Sequence, residues 1–173
     1  MEPLRRLQIA SDRYAKAPVA DAFTWDDAGG DLGDGEWYLV AFRSVRRRDV
    51  DEARLWEIDE LAHQEAAASP GFVHYFKGPL ADDLTCLSFC LWDSRADARA
   101  AAAQPAHLRA MSLLNEMYES YTLEFHRVER RDGGRLTFEP YDQPGRPQHV
   151  HVTGPELHPR AGLLRPAEGP APA

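Results

Sequence analysis

The sequence predicts an α+β domain with its elements in the order β-α-β-β-α-β. Three observations predict it. Ser69 to Ser94 holds two alternating apolar runs separated by a turn, and ends on a helix cap. A strand-like run and an amphipathic helix precede that stretch. A helix and a further strand-like run follow it, so the chain has a before and an after of similar design.

Residues 1–35 are polar and end in Asp-Asp, Gly-Gly and Gly-Asp-Gly clusters. They read as an extended arm or loop, anchored if at all by Phe23 and Trp25. Glu36 to Val45 is the first strand. Trp37, Leu39, Ala41 and Val45 share one face, and Tyr38, Val40 and Phe42 the other, the pattern of a sheet covered on both sides. Asp49 to about Ala68 is the first helix, with Asp49 as N-cap and acids in its first turn. Its apolar stripe runs through Leu55, Ile58 and Ala62, broadened by Trp56 and Leu61. Ser69-Pro70-Gly71 stops it.

Phe72 to Lys77 is the second strand, with Phe72, His74 and Phe76 expected on one face. Gly78 to Asp83 is a turn. Leu84 to Trp92 is the third strand. Cys86, Ser88, Cys90 and Trp92 take one face, and Leu87, Phe89 and Leu91 the other, which is expected to meet the helices. Ser94 caps the next helix with Asp97 at the capping-box position. Pro105 begins a second helical piece that runs to about Glu119. Tyr121 to Arg130 is the fourth strand, with Thr122, Glu124, His126 and Val128 on one face. Asp132-Gly133-Gly134 turns the chain toward a short fifth strand, Leu136 to Glu139. From Pro140 on, 34 residues hold 8 of the 13 prolines. They read as a proline-rich tail, with His149-Val150-His151 as its one strand-like piece.

This order is the split βαβ arrangement of ferredoxin-like folds. The domain is expected over residues 36–139, between an arm (1–35) and a tail (140–173). One layer of helices covers one sheet face. The other face also carries apolar side chains, and a symmetric dimer closing sheet on sheet is the expected cover.

Composition bounds the function. The chain has 173 residues, 43% hydrophobic and 28% charged, with a formal net charge of -8. That charge argues against nucleic acid and anionic membrane as partners. Arg46-Arg47-Arg48 is neutralised by Asp49, Asp51 and Glu52. Apolar runs fall well short of the roughly 20 residues that span a bilayer, and the N-terminal residues do not read as a signal peptide. Cys86 and Cys90 lie four residues apart on one strand, about 13 Å, beyond disulfide reach. Reduced thiols and a cytoplasmic setting are expected.

The chain resembles the dimeric α+β barrel superfamily, in particular small antibiotic-biosynthesis-monooxygenase-like proteins. The residues that carry the resemblance are Trp37 to Val45, Ser69-Pro70-Gly71-Phe72, and Leu91-Trp92-Asp93-Ser94 followed by Ala96, Ala98 and Gln104-Pro105-Ala106-His107. It covers roughly residues 36 to 130. It implies a homodimer that binds a hydrophobic, aromatic or polyketide-like small molecule. The implied activity is that of a cofactor-independent monooxygenase, an oxidoreductase. It also implies two alternatives: haem binding, or a non-catalytic binding or assembly module.

The candidate site rests on these residues. His74, Ser88, Trp92, Glu124 and His126 lie on strands and are expected on the face opposite Leu87 and Phe89. Glu124 and His126, two apart, share a face, where a carboxylate could tune an imidazole as a general base. The same pair also reads as a polar patch in an interface or a solvent-facing edge. His107 matches the helix histidine of the resembled family. His74, His107 and His126 are the candidate catalytic residues; Trp92, Ser88, Glu124 and Met111 are the candidate substrate contacts. No cofactor is expected. Haem would need an axial ligand such as His63 or His107, and Met111 falls where that histidine commonly stands. No spacing resembles a zinc set.

Overall fold

The computed structural model describes residues 3–141 and 149–152. All six strands join one antiparallel sheet, in the order β2-β3-β1-β4-β5 with β6 also on β4. They are β1 (Gly35–Arg46), β2 (Phe72–Phe76), β3 (Thr85–Trp92), β4 (Tyr118–Arg130), β5 (Thr137–Pro140) and β6 (His149–Val152). The first four make the expected ferredoxin-like core. The strand read at His149 to His151 is present and pairs with Tyr121 to Glu124. The rest of the expected tail, residues 142–148 and 153–173, lies outside the described residues.

The helices on one face are α3 (Glu52–Ala67), α4 (Arg95–Ala102), α5 (Pro105–Ser112) and the single turn α6 (Leu114–Met117). The cap of α3 is Asp51, not Asp49: its Oδ1 accepts from the Arg54 amide at 3.0 Å. Ser94 caps α4 as expected, accepting from the Asp97 amide at 3.2 Å. Pro105 is the first residue of α5. The second helical piece stops earlier than expected, because β4 begins at Tyr118 rather than Tyr121. Among the described residues no helix is long and apolar enough to cross a membrane.

The main departure is what covers each sheet face. Leu87, Phe89 and Leu91 were expected under the helices. They pack instead with Leu39, Ala41 and Val128 against residues 4–28 of the same chain. This segment was read as an arm, but it folds through α1 (Val19–Ala22) and α2 (Trp25–Ala28). Leu4, Tyr14, Val19, Ala22, Phe23, Trp25 and Ala28 are all buried. The Phe23 ring is the hub, 4.9 Å from Phe76 and 5.2 Å from Phe89 between centroids. The Trp25 indole donates to the Val19 carbonyl at 2.9 Å, so its one polar atom is satisfied. The face of Leu87 and Phe89 is therefore covered by the chain's own N-terminal residues, and the helices cover the face of Ser88 and Trp92, where a second copy was expected.

Two polar devices fasten the segment. Arg43, on β1, donates to the carbonyls of Ala15 and Ala17 at 2.8 and 2.7 Å, and the same guanidinium pairs with Glu124. The Tyr14 hydroxyl donates to the Pro79 carbonyl. Beside it the chain passes close to β3 at Gly78. A Cβ there would lie 2.1 Å from the Leu87 carbonyl oxygen and 2.7 Å from the Tyr14 hydroxyl. Only glycine fits that crossing.

Two outcomes follow for stability. Phe23→Ala removes the hub and should cost roughly 3–5 kcal/mol, read from urea unfolding; a loss under about 1 kcal/mol would contradict a core role for the segment. Burial alone would raise the Glu124 carboxyl, but hydrogen bonds from His126 and Arg43 outweigh it and hold the pKa at about 2, down from 4.5. A carboxyl lowered on folding stabilises above its unfolded pKa and loses that effect as pH falls through the folded one. The advantage of the wild type over Glu124→Gln should thus be full above pH 4.5 and fade toward pH 2. An advantage that stays constant across this acid range would contradict the pairing.

Candidate functional site

On the helix side of the sheet, the floor is built from cross-strand rows. Trp92 faces Tyr38, Cys90 faces Val40, Ser88 faces Phe42 and Cys86 faces Ser44, while Phe125, Leu123 and Tyr121 extend three of these rows onto β4. Six residues of β3, about 20 Å, separate the first row from the last. The roof is different in kind. α3, α4 and α5 present Ala62, Ala66, Ala98, Ala101, Ala102 and Ala110 toward the floor. Short side chains above large ones leave a cavity of about 970 Å³, at the upper end of ordinary ligand pockets.

Tyrosine is the most frequent polar residue on its walls. Five of the six tyrosines line it: Tyr38, Tyr75, Tyr118, Tyr121 and Tyr141. Burial pushes the Tyr38 hydroxyl up to about 12, against the opposing pull of Arg95. Burial, with Asp59 adding to it, pushes Tyr118 up to about 12. Tyr75 and Tyr121 are also raised well above the usual phenol value, again chiefly by burial. All four therefore stay protonated near neutral pH and offer hydroxyl groups, not phenolates. Asp59 organises one side: the Tyr75 hydroxyl donates to it at 3.1 Å and the Lys77 ammonium at 2.5 Å. Lys77 also stands 4.2 Å above the Trp56 ring, an exposed indole at the cavity's edge.

Two imidazoles line the cavity. The His63 ring lies 4.8 Å from the Tyr75 ring. His107 sits in the first turn of α5, where Glu65 Oε2 accepts from the Ala106 and His107 amides at 2.9 and 3.1 Å. That carboxylate satisfies orphan donors at the helix N-terminus and fixes α5 to α3. Burial lowers the His107 pKa below 6.5, with Glu65 pulling the other way. Near neutral pH the ring is uncharged and can accept a proton.

The residues singled out from sequence separate into two groups. Ser88, Trp92, His107 and Met111 line the cavity. His74, Glu124 and His126 do not; they are on the far face, with Leu87 and Phe89. For His74 the cause is a break in register. Phe72 faces Trp92, but His74 faces Leu91, so the ring turns to the core near Phe89, 6.1 Å between centroids. Glu124 and His126 are paired at 3.5 Å as expected, yet Glu124 is engaged by Arg43 and serves the N-terminal segment. Ser88 is also partly committed, since its Oγ accepts from the Gly78 amide at 3.1 Å. Cys86 and Cys90 are free thiols on the floor, and burial raises Cys90, which keeps it a thiol. The tyrosines, Asp59 and Arg95 were not singled out from sequence. They lie on elements far apart in the chain, and no local window gathers them. Among the described residues no group of three or more metal-ligating side chains is placed to hold an ion.

Comparison with solved structures gives likenesses in fold. SnoaB, a cofactor-independent oxygenase from Streptomyces nogalater, is 22% identical, covering 57% of this chain and 95% of that one, with a TM-score of 0.43. Rv0793 from Mycobacterium tuberculosis is 19% identical over 56% of this chain and 96% of its own, with a TM-score of 0.46. A dimeric ferredoxin-like protein of unknown function from Thermobifida fusca is 15% identical over 56% and 92%, with a TM-score of 0.44. At these values the likeness says nothing about activity. No curated protein matches the chain. The family match reaches further, because it takes in the N-terminal segment along with the sheet and its helices: residues 1–140 fit the PB2B2.08-like family, and the chain belongs to it.

Proposed function

We propose that the cavity binds a largely apolar, aromatic small molecule bearing oxygen substituents, and that the protein oxygenates this guest without a cofactor. One observation carries the reading: Trp92, five tyrosines and an uncharged His107 surround a volume of about 970 Å³ between helices and sheet. The apolar walls cost roughly 25 cal/mol per Å² for as long as they face water. A guest that covers the apolar walls recovers much of that cost. Flat aromatic walls favour a flat guest, and protonated tyrosines suit carbonyl and hydroxyl oxygens that accept hydrogen bonds.

The chemistry follows from the same groups. His107 takes a proton from an activated CH₂ of the guest. The carbanion gives an electron to dioxygen, and the two radicals combine as a peroxide. Loss of water from the peroxide leaves a carbonyl: one oxygen atom enters the product and the other departs in water. A hydroxylated anthrone is a suitable probe. Dioxygen uptake should match quinone formed one to one, His107→Ala should lower kcat about 10²–10⁴-fold, and the rate should fall only below pH 6.5. Turnover no faster than the anthrone's own oxidation in buffer would leave a binding protein without this reaction.

Haem binding is the second reading, favoured by the presence of both His63 and His107 in one cavity. A Soret band on haem titration that vanishes in the His63→Ala, His107→Ala double variant would put it first.

A further inference from the structure

The charged groups of the cavity are matched on one side and unmatched on the other. Asp59 is paired with Lys77 and Tyr75. Arg46 is paired with Glu52 at 2.9 Å, and Glu65 is held by the α5 amides. At the opposite end, Arg95 and Arg99 stand one turn apart on α4, half-buried and lining the cavity. Among the described residues neither has an acidic partner. Scarcity of carboxylates is not the reason, since the chain carries 28 Asp and Glu against 20 Lys and Arg. Asp97, between the two arginines in sequence, is turned back onto the Ser94 hydroxyl. The Arg95 guanidinium lies 5.8 Å from the centre of the Tyr141 ring and beside the Tyr38 hydroxyl.

Two like charges at i and i+4 on a helix repel each other, and partial burial removes some of the water that would screen them. Among the described residues no acidic side chain compensates this pair. An oxyanion with two or more acceptor oxygens would supply that compensation. Guanidinium forks match carboxylate and sulfonate oxygens in bidentate geometry, and the Tyr38 hydroxyl adds a further donor at the same end. We infer that Arg95 and Arg99 form an anion subsite, and that the natural guest is an aromatic acid whose acidic group is seated at α4. The inference rests on the reading of the cavity as a small-molecule site and adds the guest's charge and direction. The acid at α4 sets the far end of the ring system against the Asp59 and Tyr75 side. The net charge of -8 would repel such a guest at long range, so the attraction is local, within a Debye length of about 8 Å in physiological salt.

Two fluorescent probes test it: anilinonaphthalene sulfonate and its neutral parent, phenylnaphthylamine. They share the ring system and differ by the sulfonate. The wild type should bind the sulfonate about tenfold more tightly, with the difference shrinking in high salt. Arg95→Gln with Arg99→Gln should abolish the preference and leave phenylnaphthylamine affinity within about twofold. Ala102→Trp, which sets an indole into the cavity, should weaken binding of both probes. Equal wild-type affinities would overturn the anion subsite and leave the cavity reading standing. Binding of neither probe, or binding indifferent to Ala102→Trp, would overturn the cavity reading and this one with it. The wild-type comparison decides whatever the variants' stability.

Discussion

β1 is apolar on both of its faces, and neither face can be left in water. Trp37, Leu39 and Ala41 point one way; Tyr38, Val40 and Phe42 point the other. Lying between β3 and β4, the strand imposes this requirement on the whole sheet. The two faces meet it by different means. The first is filled tightly by the chain's own N-terminal residues, rings against rings. The second is covered at a distance by three helices that set six alanines among their inward residues. One strand's composition thus underlies both the core that holds the protein together and the space in which it could act.

The division of labour between the faces gives each a distinct electrostatic character. On the packed face, the ionised groups are used up in fastening: Arg43 reaches two carbonyls and Glu124, and Glu124 meets His126. On the open face, hydroxyls predominate, burial keeps them protonated, and the charges sit toward the edges.

The elements themselves were legible in the sequence. Period-two alternation marked each of the four core strands, Ser94 and Pro105 marked the helix starts, and the glycine pair after Asp132 marked the last hairpin. What covers each face was not legible. Alternation along β3 separates Leu87 from Ser88, but it does not say which neighbour arrives on which side. The N-terminal segment was hidden for another reason: its helices are four residues long or fewer, too short to show a period. Its buried Leu4, Tyr14, Phe23 and Trp25 therefore looked like scattered residues in a polar stretch. His74 was misplaced by a register shift, a local event that strict alternation cannot anticipate. Trp92, Ser88, His107 and Met111 fall on the cavity wall because they sit on regular elements. The tyrosines were missed because only the fold brings them together.

The N-terminal cover has a consequence for the order in which the protein is made. Phe23 is synthesised 66 residues before Phe89, the ring it packs against. At translation speeds of about 5–20 residues per second, that is an interval of roughly 3–13 s. Through it Tyr14, Phe23 and Trp25 have no sheet to rest on, and β1 has neither of its partner strands. The nascent chain therefore carries a sticky aromatic leader out of the ribosome. It needs either shelter or rapid local collapse until β3 emerges, so the closing of this face is a late step in biogenesis although its residues come first.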